Sequence, residues 1–446
     1  MTVAWVRRRC WMALVLAIIL VVSGGGGWHL AEAADGSLVV AALQVLEQNY
    51  VDPVNPVDRL NAAIEALRQV THLDAAALPD IPAGATAAQA KTAFGAEFAE
   101  AARAGSVPTT PLAYAATEAM LASLHDSHTV FVPPPQFQES RRQLVGEPGI
   151  TGIGVRVSAR KDDSGSTWIF VEDVFPGSPA DKARVKRLDR IVQAGNTSLR
   201  NLPVDQASGL LRGPVGSTVD LVLQRGDQVV KTSIVRGQIP FVPAYATFIA
   251  PGIAYARLFI FSEGSGRALG NALEALSAKG PVRSIILDLR ANNGGLVIEA
   301  ARVGGLFLSP RTSLARITEH GSAPSTLRTL DAPLFPETPL VLLVDGGSAS
   351  ASELIAAAFK EIGRARIVGE QTAGALGGAI EVALPEGGMS VTVARITAPD
   401  GAEVENVGVA PDALATLTVA DMERGVDPQL QAALRTAGAE ALQHVP

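Results

Sequence analysis

Three closely spaced serines, Ser348, Ser350 and Ser352, follow an apolar run at 340–344 and the turn Asp345-Gly346-Gly347. A helical stretch begins at 352. A serine at such a strand-to-helix junction sits among unpaired N–H groups at the positive end of a helix dipole. That setting suits an acyl-transfer nucleophile, because the same groups stabilise the negative charge that develops beside it. It equally suits a plain N-cap, for which serine is a preferred residue. Spacing alone does not choose between the two uses.

A serine is a weak nucleophile and needs a base that titrates near neutrality, for which histidine is the default. Beyond the first 35 residues the histidines are His72, His125, His128, His320 and His444. His128 stands out in His125-Asp126-Ser127-His128-Thr129, directly after a helical run. The chain has no His-Glu-x-x-His and no other clustered ligand set, so no metal and no other cofactor is expected. No Gly-x-Ser-x-Gly elbow surrounds a strand-end serine, which argues against an α/β-hydrolase esterase.

The elements that must position these residues change character along the chain. Residues 37–131 read as helical, with Leu60, Ile64 and Leu67 recurring at helical spacing and further helices expected at 86–104 and 111–124. Pro133-Pro134-Pro135 is expected to stop regular structure. Short alternating strands follow, at 152–157, 168–174, 189–192 and 218–223, with Ser178 as the cap of a short helix. From 253 strands and helices alternate, which argues for a mixed α/β domain.

The 446 residues are 48% hydrophobic and 18% charged, enough apolar material for more than one core. The formal net charge of -7 argues against a nucleic-acid partner. Arg7, Arg8 and Arg9, an apolar run at 11–22 and Ala31-Glu32-Ala33 read as a secretion signal over 1–33. The expected location is the periplasm or another extracytoplasmic space, without a stable membrane span after cleavage. The only cysteine, Cys10, precedes the apolar run, so a thiol nucleophile and disulfides are not expected in the mature chain.

The string Ser348-Ala349-Ser350-Ala351-Ser352-Glu353, continued by Val368-Gly369-Glu370-Gln371-Thr372, closely resembles the active-site block of the carboxyl-terminal processing (tail-specific) proteases. Leu287-Asp288-Leu289-Arg290-Ala291-Asn292-Asn293-Gly294-Gly295 resembles that family's strand and glycine turn, and 405–412 its closing motif. Gly177-Ser178-Pro179-Ala180 through Asp189-Arg190-Ile191 resembles its PDZ domain. The resemblance runs from Tyr50 onward. It implies an α+β multidomain chain: a helical region at 34–145, an inserted PDZ domain at 146–238, a crotonase-like α/β protease core at 239–425 and a tail at 426–446.

The resemblance makes Ser350 the nucleophile and an exported protein or peptide the substrate. It implies an oxyanion hole from Gly294 or Gly295 and the N–H of Ala351. Gly152-Ile153-Gly154-Val155 matches the PDZ carboxylate-binding loop and ligand strand. The family's lysine position falls on Ala375 and its supporting glutamine on Ala379, so the usual Ser–Lys dyad is missing. A related branch, exemplified by the tricorn protease, uses a serine–histidine–serine–glutamate tetrad. Ser127-His128 and Glu405 match its members, with His128 as base. The same missing lysine keeps a second reading open, a peptide-binding or scaffolding protein that has lost catalysis. Oligomerisation is left open.

Overall fold

The structure is a computed structural model and describes residues 36–105, 107–146 and 151–443. The expected signal segment, Cys10 and His444 lie outside the described residues. The chain forms two compact units.

The first unit combines residues up to Arg141 with Ala315–Leu327 and Ala375–Glu405. Its helices are Ser37–Asn49, Pro56–Thr71, Ala87–Arg103 and Thr109–Ala122. Asn55 caps the second through the N–H of Val57, and Thr86 with Gln89 forms a capping box on the third. Leu38, Leu60, Phe94, Phe98 and Met120 are buried between them. Met389 and Val391, from the long strand Gly388–Thr397, complete that core. This strand pairs with Val130–Val132, Gly377–Ala383 and Ser313–Glu319, all antiparallel. The prolines at 133–135 do not end regular structure: a helix, Pro134–Leu144, starts on them. Proline lacks an N–H that the first helical turn leaves unpaired in any case, and its fixed φ suits a helix start.

The second unit contains Arg142–Leu314, Arg328–Gly374 and the chain from Asn406. Its β-rich part is an antiparallel sheet in the order Val155–Lys161, Thr167–Val174, Arg190–Ala194, Thr218–Arg225, Gln228–Val235. Ser178 caps the short helix Pro179–Lys182 by accepting the N–H of Asp181. Its α/β part is a sheet in the order Ala244–Ala250, Ile253–Leu258, Ser284–Asp288, Leu340–Val344, Arg366–Gly369, Ala413–Leu414, parallel after the first pair. Residues 428–443, part of the expected tail, instead form the helix Pro428–Gln443. Its Ala433 and Ala437 are fully buried against Ile286, Val341, Leu343 and Val368, so it is a layer of the core. Small alanines hid that face, because its apolar pattern is faint.

A chain of buried charges joins the two sheets of this unit. Arg257 donates to both oxygens of Asp173 at 3.1 and 2.7 Å and to the carbonyl of Arg290 at 2.6 Å. Arg290 donates to Asp288 at 2.7 Å and to Asp427 at 2.8 Å. Burial alone would push the Asp288 carboxyl up, but Arg290 and Arg257 hold it well below the carboxylate range. Its contribution is therefore present above about pH 4 and fades as acid lowers the pH toward the depressed value.

Asp173→Ala strips the fully buried Arg257 guanidinium of its paired carboxylate. The expected loss is about 3 kcal/mol of unfolding free energy, read from urea titration. A loss below about 1 kcal/mol would show that the pair is not the joint described here.

Candidate active site

The strand Leu340–Val344 is buried along its whole length and ends in a turn that is bonded at almost every residue. The Asp345 carboxylate accepts the N–H groups of Gly347 at 2.9 Å and Ala291 at 2.8 Å. Ser348 Oγ donates to the Leu289 carbonyl at 2.9 Å, and Ser352 Oγ to the Asn292 carbonyl at 2.8 Å. Both serines are fully buried and used as scaffold. Ser350 is the half-buried one between them, at the N-cap of the helix Ala351–Ile362. Its backbone has φ 53° and ψ −115°, a sparsely populated region for a residue with a side chain. Such strain persists only where the surroundings over-determine it, and a strained strand-to-helix turn is how a nucleophile is thrust forward.

Glycine is required opposite this turn. A Cβ on Gly294 (φ +98°) would lie 2.7 Å from Ser350 Cβ and 2.8 Å from the Ala351 nitrogen. One on Gly295 (φ +131°) would lie 2.5 Å from the Phe261 carbonyl oxygen. The Ala349 N–H donates to the Asn292 carbonyl at 3.0 Å, which holds the glycine turn against the Ser350 turn. The Gly294 N–H is given to Asn292 Oδ1 at 2.9 Å.

Sequence reasoning missed the role of Glu353. It is fully buried and accepts the N–H of Ser350 at 3.1 Å, the Thr372 hydroxyl at 2.6 Å and the N–H of Gly374 at 2.7 Å. It ties the serine to the start of the stretch where the lysine is missing. The legible signal was its spacing, three residues after a capping serine.

The first unit holds the histidine. His128 Nε2 lies 3.1 Å from Glu405 Oε2, and the Gly377 N–H points at the same nitrogen from 3.2 Å. Nε2 thus faces an acceptor and a donor at once: the tautomer that gives its hydrogen to Glu405 leaves the lone pair on Nδ1 and the Gly377 N–H unmet at Nε2, and the other tautomer accepts the Gly377 N–H. The ring lies on Gly377, where a Cβ would come within 2.5 Å of Cδ2 and 2.8 Å of Cγ. Gly377 is two residues along the chain from Ala375 and two before Ala379. Glu405 reaches the ring directly, and Ser127 is exposed on the turn before it. His125 is also exposed, with φ 54°.

In the β-rich part, Ile153 is buried and its carbonyl accepts the N–H of Ala180 at 2.7 Å. Gly154 (φ +84°) packs so closely on Ser178 that a Cβ would be 2.3 Å from the serine Cβ. Val155 starts the edge strand of that sheet, beyond Gly152. Arg184 (φ +60°) and Leu188 (φ +70°), at positions where glycines are common in this fold, keep the left-handed backbone.

Gly377→Ala is expected to leave the fold intact and to displace the His128 ring. Hydrolysis of an unstructured protein should then fall by at least about 100-fold while the unfolding midpoint moves little. Unchanged turnover would separate the ring's seat from activity.

Residues 252–415 match the profile of peptidase family S41, and residues 143–224 that of the PDZ domain. The chain is 32% identical over 336 residues to a carboxyl-terminal-processing protease of Picosynechococcus sp., spanning 72% of this chain and 78% of the relative. It is 31% identical over 333 residues to the carboxyl-terminal-processing protease of Synechocystis sp., spanning 72% and 76%. The solved structure of a photosystem II D1 C-terminal processing protease is similar at a TM-score of 0.52 and 26% identity, over 92% of this chain and 98% of that one. A serine at a strained strand-to-helix turn, a PDZ sheet and these relatives place the chain in one group: it belongs to peptidase family S41, the carboxyl-terminal processing serine proteases.

Proposed function

We propose that the chain is an exported endopeptidase that cleaves unfolded or C-terminally exposed proteins, with Ser350 as nucleophile and His128 as base. The observation that carries this reading is the seat of His128. Its ring rests on Gly377, within the run where the family keeps its lysine, with Glu405 on Nε2. An imidazole oriented by a carboxylate can do the work of the absent ammonium group.

The chemistry follows the triad pattern. His128 Nδ1 takes the Ser350 Oγ proton as the oxygen attacks the scissile carbonyl carbon. The negative oxygen is met by the N–H of Ala351, at the first helical position, and by one N–H of the glycine pair. Asn292 already holds the Gly294 N–H, which favours Gly295. The imidazolium, stabilised by Glu405, gives its proton to the leaving amine. Water then repeats the sequence on the acyl-enzyme and frees Ser350.

The edge strand from Val155, with the loop Gly152-Ile153-Gly154, supports capture of a substrate tail by strand addition. Export is supported by the residues at 7–33. No described helix is long and apolar enough to cross a membrane.

Ser350→Ala should abolish hydrolysis of an unstructured protein and leave the fold intact, so activity retained in that variant removes Ser350 from the mechanism. His128→Ala should lower kcat by about 10³-fold or more. A loss below about tenfold means that another base operates. The base must be neutral to act, so activity should fall as acid protonates an imidazole, and a profile that rises only where an ammonium deprotonates would contradict the assignment.

A further inference from the structure

We propose that Asp126 is the positioning residue of the His128 base, fixing the backbone from which the ring projects and placing a second carboxylate near it besides Glu405. The inference rests on the reading of His128 given above.

Asp126 Oδ1 accepts the N–H of His128 at 2.9 Å. Oδ2 accepts two hydroxyls, Thr129 Oγ1 at 2.7 Å and Thr392 Oγ1 at 2.6 Å. Thr129 Oγ1 in turn accepts the Thr392 N–H at 3.1 Å. Both threonines are buried, and the Tyr50 hydroxyl faces the same carboxylate. The loop that carries the histidine is thereby bolted to the strand Gly388–Thr397, which also pairs with the strand of Gly377.

A turn residue needs only one oxygen for its own N–H contact. Here three donors converge on one half-buried side chain, an arrangement matched to an acceptor-only carboxylate. Burial alone would push this carboxyl up, but the hydroxyls of Thr129 and Thr392, the His128 N–H and the His128 charge hold it below its ordinary value. It is therefore ionised at neutral pH. Burial and Asp126 push the Tyr50 phenol up to about 12, so it stays protonated there.

The charged groups around the ring are Glu405 on Nε2 and Asp126 on the backbone side. Asp52 and Arg395 face Tyr50 and bond each other at 2.6 Å, which leaves the balance beside the ring negative. A negative balance stabilises the imidazolium that forms when the ring takes the serine proton.

The test is the His128 titration, read by NMR on protein with labelled histidine rings, beside the pH profile of kcat/KM. Removing a carboxylate lowers the ring's proton affinity, so the acid limb of activity moves to lower pH. Asp126→Asn should titrate about 0.5–1 pH unit lower, lose about tenfold or more in kcat and keep KM within about twofold. Thr392→Val removes a hydroxyl donor and keeps the charge. It should lose stability and leave the titration in place. Tyr50→Phe removes the hydroxyl that faces the carboxylate and should leave the titration or raise it.

An unmoved titration in folded Asp126→Asn overturns the inference. So does an equal shift in Thr392→Val, or a fall in Tyr50→Phe, which stays readable if Asp126→Asn fails to fold. A lowered ring titration with an unmoved acid limb supports the hold of Asp126 on the ring and makes the assignment of His128 as base the part that fails.

Discussion

The backbone of Ser350 is held in a conformation that a residue with a side chain rarely adopts, and the surrounding residues make it hold. Such a residue costs on the order of 1–3 kcal/mol. Glu353 offsets that cost by accepting the Ser350 N–H while it is buried on two further donors. Ser348, Ser352 and Asn292 hold the two flanks. These bonds are why three closely spaced serines have two fates: Ser348 and Ser352 are buried as scaffold, and Ser350 is left half-buried between them.

The second constraint is chemical. On the reading proposed above, an imidazole takes the place of the ammonium group that alanine at 375 removes, and glycine at 377 makes room for its ring. An imidazole differs from an ammonium in more than its titration range. It has two nitrogens, so it needs a partner on one to set the tautomer on the other. Glu405 supplies that partner, and Asp126 fixes the backbone that delivers the ring. In that reading the exchange touches several separated stretches of sequence.

Much of this was legible in the sequence because the signals were local. The strand-turn-helix at 340–362 and the PDZ strands carry their periodicity within a few residues. Ser178 reads as a cap and is one. The losses have physical causes. Pro134 and Pro135 look like breakers, yet the first turn of a helix has no use for their missing N–H. Ala433 and Ala437 bury a face too small in side-chain area to register as apolar. The bonds of Glu353 to Thr372 and Gly374 depend on a fold that brings those residues to it. The role of Asp126 was hidden because the hydroxyl of Thr392 arrives from a distant strand. Spacing could not choose among the three serines, whereas burial of Ser348 and Ser352 separates them from Ser350.

The most direct measurement is the rate at which a fluorophosphonate modifies Ser350, followed by intact mass and peptide mapping across pH in the unmodified sequence and in His128→Ala. The account predicts a single adduct on Ser350, formed at a rate that rises through the range where an imidazole loses its proton. It predicts that the rate collapses in His128→Ala. Labelling that appears only in the alkaline range of an ammonium, or that proceeds unchanged without His128, would contradict it.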